Sequence, residues 1–281
     1  MHEKQGDFIP EKGHQNDAQK EQKERMLRSF ATGKEDEIAL CKQEYLEAYP
    51  NDNEGVNILF EMVSLLKQAS MLPGGGDTSP ENSMLLINKA EFTQRFANYL
   101  LENSENRDFL ARFWDHLLHI ASWGNIVDLF EKYRHNIITE VATCRALKDA
   151  GVEPKFPDPW EDILLGIDME IRDGREFIQV KGVRASVKDG LFIISSQDSK
   201  TNSTRKAVLK SLPLVNNSSR ERYWKKTLSK FAEDTEALSI GLNRDVTGYL
   251  VSMPYGQCDM ITGMPSEAVL DYFKDYFEEN K

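Results

Sequence analysis

The chain has 281 residues, 40% of them apolar and 29% charged, with a formal net charge of -11. At roughly 100–200 residues per domain, this length holds one large or two modest domains, and the composition excludes collagen-like and wholly disordered chains. No apolar run approaches the ~20 residues that cross a bilayer, and the mixed-charge start carries no apolar stretch. These features predict a cytoplasmic protein without a signal peptide or a membrane partner.

In chain order, residues 1–25 are polar and without periodicity, and are expected to form a disordered tail. Residues 26–124 read as a helical region. Val56, Leu59, Phe60, Val63 and Leu66 follow the i, i+3, i+4, i+7 spacing of one buried helix face. The run Pro73 to Pro80 breaks that pattern, and Ser79 before Pro80 has the chemistry of a helix start. Helical spacing resumes through Phe92, Phe96, Tyr99 and Leu100, and again through Phe109, Phe113, Leu117 and Ile120. His116 and His119 fall among these apolar residues and lack the acid and third ligand of a zinc site, so they read as boundary packing.

From residue 125 to 281 the texture changes to one long helix ending near Gly151, then short strands with Asp-Gly turns. Strands are predicted at Ile163 to Ile171, Glu176 to Lys181, Leu191 to Ser195 and Tyr249 to Met253, and helices near 219–237 and 266–279. The fold class is therefore α+β: a mixed sheet flanked by helices, preceded by an all-α region. The three cysteines, Cys41, Cys144 and Cys258, have no CxxC spacing and are expected as reduced thiols.

Charge is distributed unevenly. Between Ile171 and Lys230 stand 14 Lys or Arg and 5 Asp or Glu, a net of +9, which leaves -20 for the rest. One basic surface within an acidic chain points to phosphate contact through Lys200, Arg205, Lys206 and Lys210 in a polar loop, and through Arg222 and Lys226 on a helix. Trp224, Leu228 and Phe231 have core spacing. The acidic helical region would repel nucleic acid, which favours a protein partner for it. A homodimer is compatible with the sequence.

Asp173-Gly174 between two alternating runs is a hairpin signal, because both central turn residues need positive φ. A two-residue loop pairs residues whose numbers sum to 347, so Asp168 is expected opposite Gln179, with Lys181 one pleat further on the same face. An acid, an amide oxygen and an ammonium gathered there outline a metal and phosphate site. On the preceding helix, Tyr133, Ile137, Val141, Cys144 and Leu147 form an apolar stripe, and Glu140 falls inside it. A carboxylate on a buried face needs a partner; Arg145, Lys148 or a cation could serve.

Glu140 on a helix, Pro157-Asp158, Gly166-Ile167-Asp168 and Phe177-Ile178-Gln179-Val180-Lys181-Gly182, in this order and spacing, resemble the PD-(D/E)XK nuclease superfamily. The resemblance is to the subgroup with Gln in place of the second acid, as in methyl-directed restriction endonucleases and relatives of archaeal Holliday-junction resolvases. It covers roughly residues 126–200. It implies a metal-dependent endonuclease that hydrolyses phosphodiester bonds in DNA. Asp168, Gln179, Glu140 and the main-chain carbonyl of Val180 would ligate Mg²⁺, or Mn²⁺ in its place, and Lys181 would orient water and stabilise phosphate charge. Asp158 is a rival for the acid role, and Glu161 and Asp162 are accessory acids nearby. The alternative is a nuclease-fold module without catalysis that binds nucleic acid or protein.

Overall fold

In the computed structural model the described residues are 42–43, 45–47, 49–70, 80–123, 126–183, 190–197 and 218–279. Among the described residues, 42–43 and 45–47 are helical, and helices α1 (Asn53–Ser70), α2 (Pro80–Glu102), α3 (Arg107–Trp123) and α4 (Val127–Asp149) follow. A short helix α5 (Pro159–Leu165) precedes the strands β1 (Met169–Ile171), β2 (Glu176–Val183) and β3 (Phe192–Ser195). Helix α6 (Ser218–Gly241), strand β4 (Thr247–Pro254) and helix α7 (Glu267–Glu279) complete an α+β architecture. Among the described residues no helix is long and apolar enough to cross a membrane.

Helix starts follow local chemistry. Asp52 precedes α1, and its Oδ1 accepts the Gly55 N–H at 2.9 Å, an N-cap that satisfies one of the orphan amides of the first turn. Its Oδ2 accepts the hydroxyls of Tyr45 and Tyr99 at 3.0 and 2.9 Å, which ties α1 to α2. Pro80 opens α2, as its pre-set φ allows. Helix α4 ends in a Schellman motif: Gly151 takes φ +72, the Val152 N–H bonds Leu147 O at 2.9 Å, and the Gly151 N–H bonds Lys148 O at 3.0 Å.

The sheet is mixed, in the order β1-β2-β4-β3, with β2 and β4 parallel and both edge pairs antiparallel. Helix α4 buries residues on two faces because it serves two cores. Phe130, Tyr133, Ile137, Ile138 and Val141 pack with α1–α3. Ala142, Cys144, Ala146 and Leu147 pack with α7 on one sheet face, against Met169, Ile171, Ile178 and Val180. The opposite sheet face is covered by α6 through Trp224, Leu228, Phe231 and Leu238, so Trp224 is a core residue. Phe273 and Phe277 of α7 are fully buried, each worth ~1.5–3 kcal/mol relative to exposure.

One predicted strand is corrected. Ile163 to Leu165 are helical, and the strand starts only at Met169. The cause is a helix start hidden in Asp158-Pro159-Trp160-Glu161. The Asp158 carbonyl accepts the N–H groups of Glu161 and Asp162 at 2.9 and 3.2 Å, Pro159 sits first in the helix, and Glu161 Oε2 reaches back to the Asp158 N–H at 3.3 Å. The remaining strands and helices fall where the periodicity predicts them, within a few residues at each end.

Candidate active site

The hairpin forms as a tight turn. It lies between the last paired residues, Ile171 and Glu176, and Arg172, Asp173 and Gly174 all take positive φ, of +51, +58 and +72, so the Asp-Gly pair stands at its centre as the sequence predicts. The register summing to 347 holds for Met169, Glu170 and Ile171, which face Ile178, Phe177 and Glu176. At Asp168 the ladder changes. Its N–H donates to Ile178 O at 2.9 Å, so Asp168 and Met169 together oppose Ile178 and form a β-bulge, a device that re-aims a side chain. The expected direct opposition of Asp168 and Gln179 is thereby shifted by one residue.

The bulge brings the Asp168 carboxylate to the end of β2, where its Oδ2 accepts the Val180 N–H at 2.5 Å. In a strand the N–H and C=O of one residue point to the same side, so the Val180 carbonyl also faces the Asp168 side, beyond the end of β1. Gln179 Nε2 donates to Gly166 O at 2.9 Å, which leaves Oε1 as the atom of that amide able to meet a cation. Gly166 has φ +64 and lies so close to Gln179 that a Cβ there would collide with Nε2. This is why Gly-Ile-Asp begins with glycine.

Helix α4 approaches β2 closely at Gly182, where an added Cβ would collide with the Tyr255 ring and press on Thr139. Thr139 is thus seated against the residue after Lys181, and Glu140 follows it. The charges of Glu140, Asp168, Asp162 and Lys181 act on one another. Burial, then the charges of Asp168 and Asp162, raise the Glu140 carboxyl well above the usual range, against Lys181 and Lys89. Burial also raises Asp168, while Lys181 and the Val180 N–H pull it down. Asp162 is pushed up to about 7 by burial and by Asp168. Groups perturbed by desolvation together with specific charge neighbours mark a functional candidate.

Lys89 and Asp162 enlarge the site beyond Glu140, Asp168, Gln179, Val180 and Lys181. Lys89 comes from α2, within the helical region, and with Asp162, Glu140 and Asn136 it lines a cavity of about 320 Å³ between α2, α4 and α5. The sequence carries a signal for Lys89: it follows Leu86 by three and precedes Thr93 by four, on the face of α2 that also buries Ala90, Ala97 and Leu100. A lysine in that stripe has the same oddity as Glu140 in its own stripe. The partners considered for Glu140 are engaged elsewhere or turned away: Arg145 Nη2 donates to Leu101 O at 3.4 Å, and Lys148 is exposed. Asp158 starts α5, and Glu161 completes its cap.

Arg222 and Lys226 are exposed on α6. Lys200, Arg205, Lys206 and Lys210 lie outside the described residues, as do the predicted tail at 1–25, the segment 26–41 and Ser79. His116 packs edge-on against Tyr45.

The oxygen donors fit a hard cation. Two carboxylates, an amide oxygen and a main-chain carbonyl are the ligand types that Mg²⁺ accepts alongside water and phosphate. Among the described residues no three His, Cys, Asp or Glu side chains group closely enough to hold a metal by themselves, so the amide and carbonyl oxygens would have to contribute. Compared with protein-family models, curated proteins and solved structures, the chain matches none.

Proposed function

We propose that the chain is a metal-dependent endonuclease that hydrolyses phosphodiester bonds in DNA, with a site of the PD-(D/E)XK type. The observation that carries this reading is the meeting of Glu140, from a helix, with Asp168 and Lys181, from a bulged hairpin, as mutually interacting, half-buried charges. Asp168, Glu140, the Gln179 amide oxygen and the Val180 carbonyl would hold Mg²⁺ or Mn²⁺. A divalent cation there would supply Lewis-acid stabilisation of charge on the phosphate. Val180 N–H fixes the Asp168 carboxylate, and Gly166 O fixes the Gln179 amide, so both donors are pre-set by main-chain bonds. The Lys181 ammonium lowers the energy of negative charge gathering on the phosphate and can orient a water for attack. The excess of 14 basic over 5 acidic residues between Ile171 and Lys230 supports a polyanionic substrate.

The test is cleavage of single-stranded, duplex and branched DNA with and without Mg²⁺. Asp168→Asn and Lys181→Ala should each lower the rate by at least ~100-fold with little change in melting temperature. Wild-type rates in either variant would remove that residue from the mechanism. A second reading, a nuclease-fold interaction module without catalysis, draws on Gln179, a neutral residue whose amide nitrogen serves a structural bond. DNA binding without metal-dependent cleavage would favour it.

A further inference from the structure

The helical region contributes one wall of the cavity beside the candidate active site. Leu86 and Ala90 of α2, Ile137 of α4 and Ile163 of α5 make its apolar sides. Tyr133 adds an aromatic surface that is already held: its ring stacks on Phe96 with centroids 6.3 Å apart, and its hydroxyl donates to Thr93 Oγ1 at 3.2 Å. Lys89, Asn136, Asp162 and Glu140 supply the cavity's charged and amide lining, beside the Thr93 hydroxyl that Tyr133 bonds. At about 320 Å³ the cavity sits at the small end of the ~300–1,000 Å³ range of small-molecule sites. It suits one nucleotide and has no room for a duplex.

We propose that this cavity seats a single nucleotide whose base carries an exocyclic amino group, with Lys89 meeting its phosphate and Asp162 and Asn136 meeting the base edge. Its position next to the scissile phosphate rests on the nuclease reading; the seat itself does not. Enzymes that take a base out of the stack read it in this way, by hydrogen bonds to its pairing edge between apolar and aromatic walls. A carboxylate accepts from the amino groups of cytosine, adenine and guanine, whereas thymine offers a carbonyl oxygen at the corresponding position. A slot with apolar walls, one cation and two carboxylates is poorly matched to inorganic phosphate, which would leave its walls empty. In the nuclease, this seat would confine cleavage to strands that can present an unstacked nucleotide: single strands, flaps and branch points.

The experiment is calorimetric titration of the full chain with dCMP, dTMP and inorganic phosphate in EDTA, so that no metal contributes. Saturable one-to-one binding of dCMP is expected, with dTMP weaker by about tenfold and phosphate weaker still. Lys89→Ala should weaken dCMP by at least about tenfold, and Ala90→Leu, which fills the cavity, should do the same while far-UV circular dichroism stays unchanged. Absence of saturable binding by the wild type up to ~10 mM, equal affinity for dCMP and phosphate, or indifference to both substitutions would each overturn the proposal. Cleavage that depends on Asp168 without nucleotide binding would sink the seat and leave the nuclease standing. Nucleotide binding without cleavage would do the reverse.

Discussion

Asp162 ties acidity to stability. Its carboxyl is pushed up to about 7 by burial and by Asp168, above the ~3.9 of an unfolded Asp, so the folded state holds the extra proton. The stabilising contribution is complete below pH ~4 and is lost as the pH rises toward 7. In EDTA, Asp162→Asn should remove that decline. At pH 8 it should be more stable than wild type by about 1–3 kcal/mol after allowing for partial exposure, and at pH 4 the two should converge. A less stable variant at pH 8 would mean that the carboxylate is paired in solution. Glu140 obeys the same sign, so Mg²⁺ should raise the melting temperature of the wild type by binding only the native state, and less so in Glu140→Gln. A Glu140→Gln chain that gains as much as wild type would take Glu140 out of the ligand set. Gly166 is constrained by conformation and by space. Gly166→Ala should lose about 1–3 kcal/mol in a denaturant titration, because it places a side chain at φ +64 and against Gln179.

Among the elements, α5 explains why a Pro-Asp pair outside the site looks like part of it. Asp158 accepts two N–H groups through its carbonyl and is bonded by Glu161, and its position is that of a helix cap. These bonds are made by the Asp158 main chain and survive in Asp158→Ala, which should therefore cost less than about 1 kcal/mol of stability and leave most of the cleavage rate intact. A stable but inactive Asp158→Ala protein would move the acid role to that residue. The β1–β2 hairpin acts through its bulge. Without the extra residue at Asp168 the carboxylate would continue the regular alternation along β1, away from the Val180 N–H that now fixes it.

For the whole molecule, the decisive feature is that α4 belongs to two cores. One runs without interruption from Tyr45 of the helical region to Val141 of α4. The loop after β4 strengthens the join: Arg107 pairs with Asp259 at 3.0 Å, Trp114 Nε1 donates to Ile261 O at 2.8 Å, and Arg134 Nη2 donates to Met260 O at 3.0 Å. Residues 125–281 expressed alone would expose Phe130, Ile137 and Ile138, which are fully buried in the full chain. That fragment should aggregate, or retain far-UV but lose near-UV circular dichroism. A soluble fragment with a cooperative thermal transition would show that α1–α3 are dispensable for folding.

The α+β class, the helix spacings and the turn at Asp173-Gly174 were legible in the sequence because each follows from a local period or from backbone sterics. The apolar stripe of α4 was legible too, since Tyr133, Ile137, Val141, Cys144 and Leu147 are all buried, and with it the anomaly of Glu140. Helix α5 was missed because its start is written in capping chemistry, whereas the apolar run at Ile163 to Leu165 suits helix and strand alike. The bulge was missed because nothing in Ile167-Asp168-Met169 marks an inserted residue; one extra hydrogen bond to Ile178 O creates it. The meeting of Lys89 with Asp162 and Glu140 was decided only by the tertiary structure. Residues 51 and 73 positions apart come together through the packing of α2 on α4 and α5, and the pairing of helix faces depends on which apolar stripes find each other, which no local period encodes.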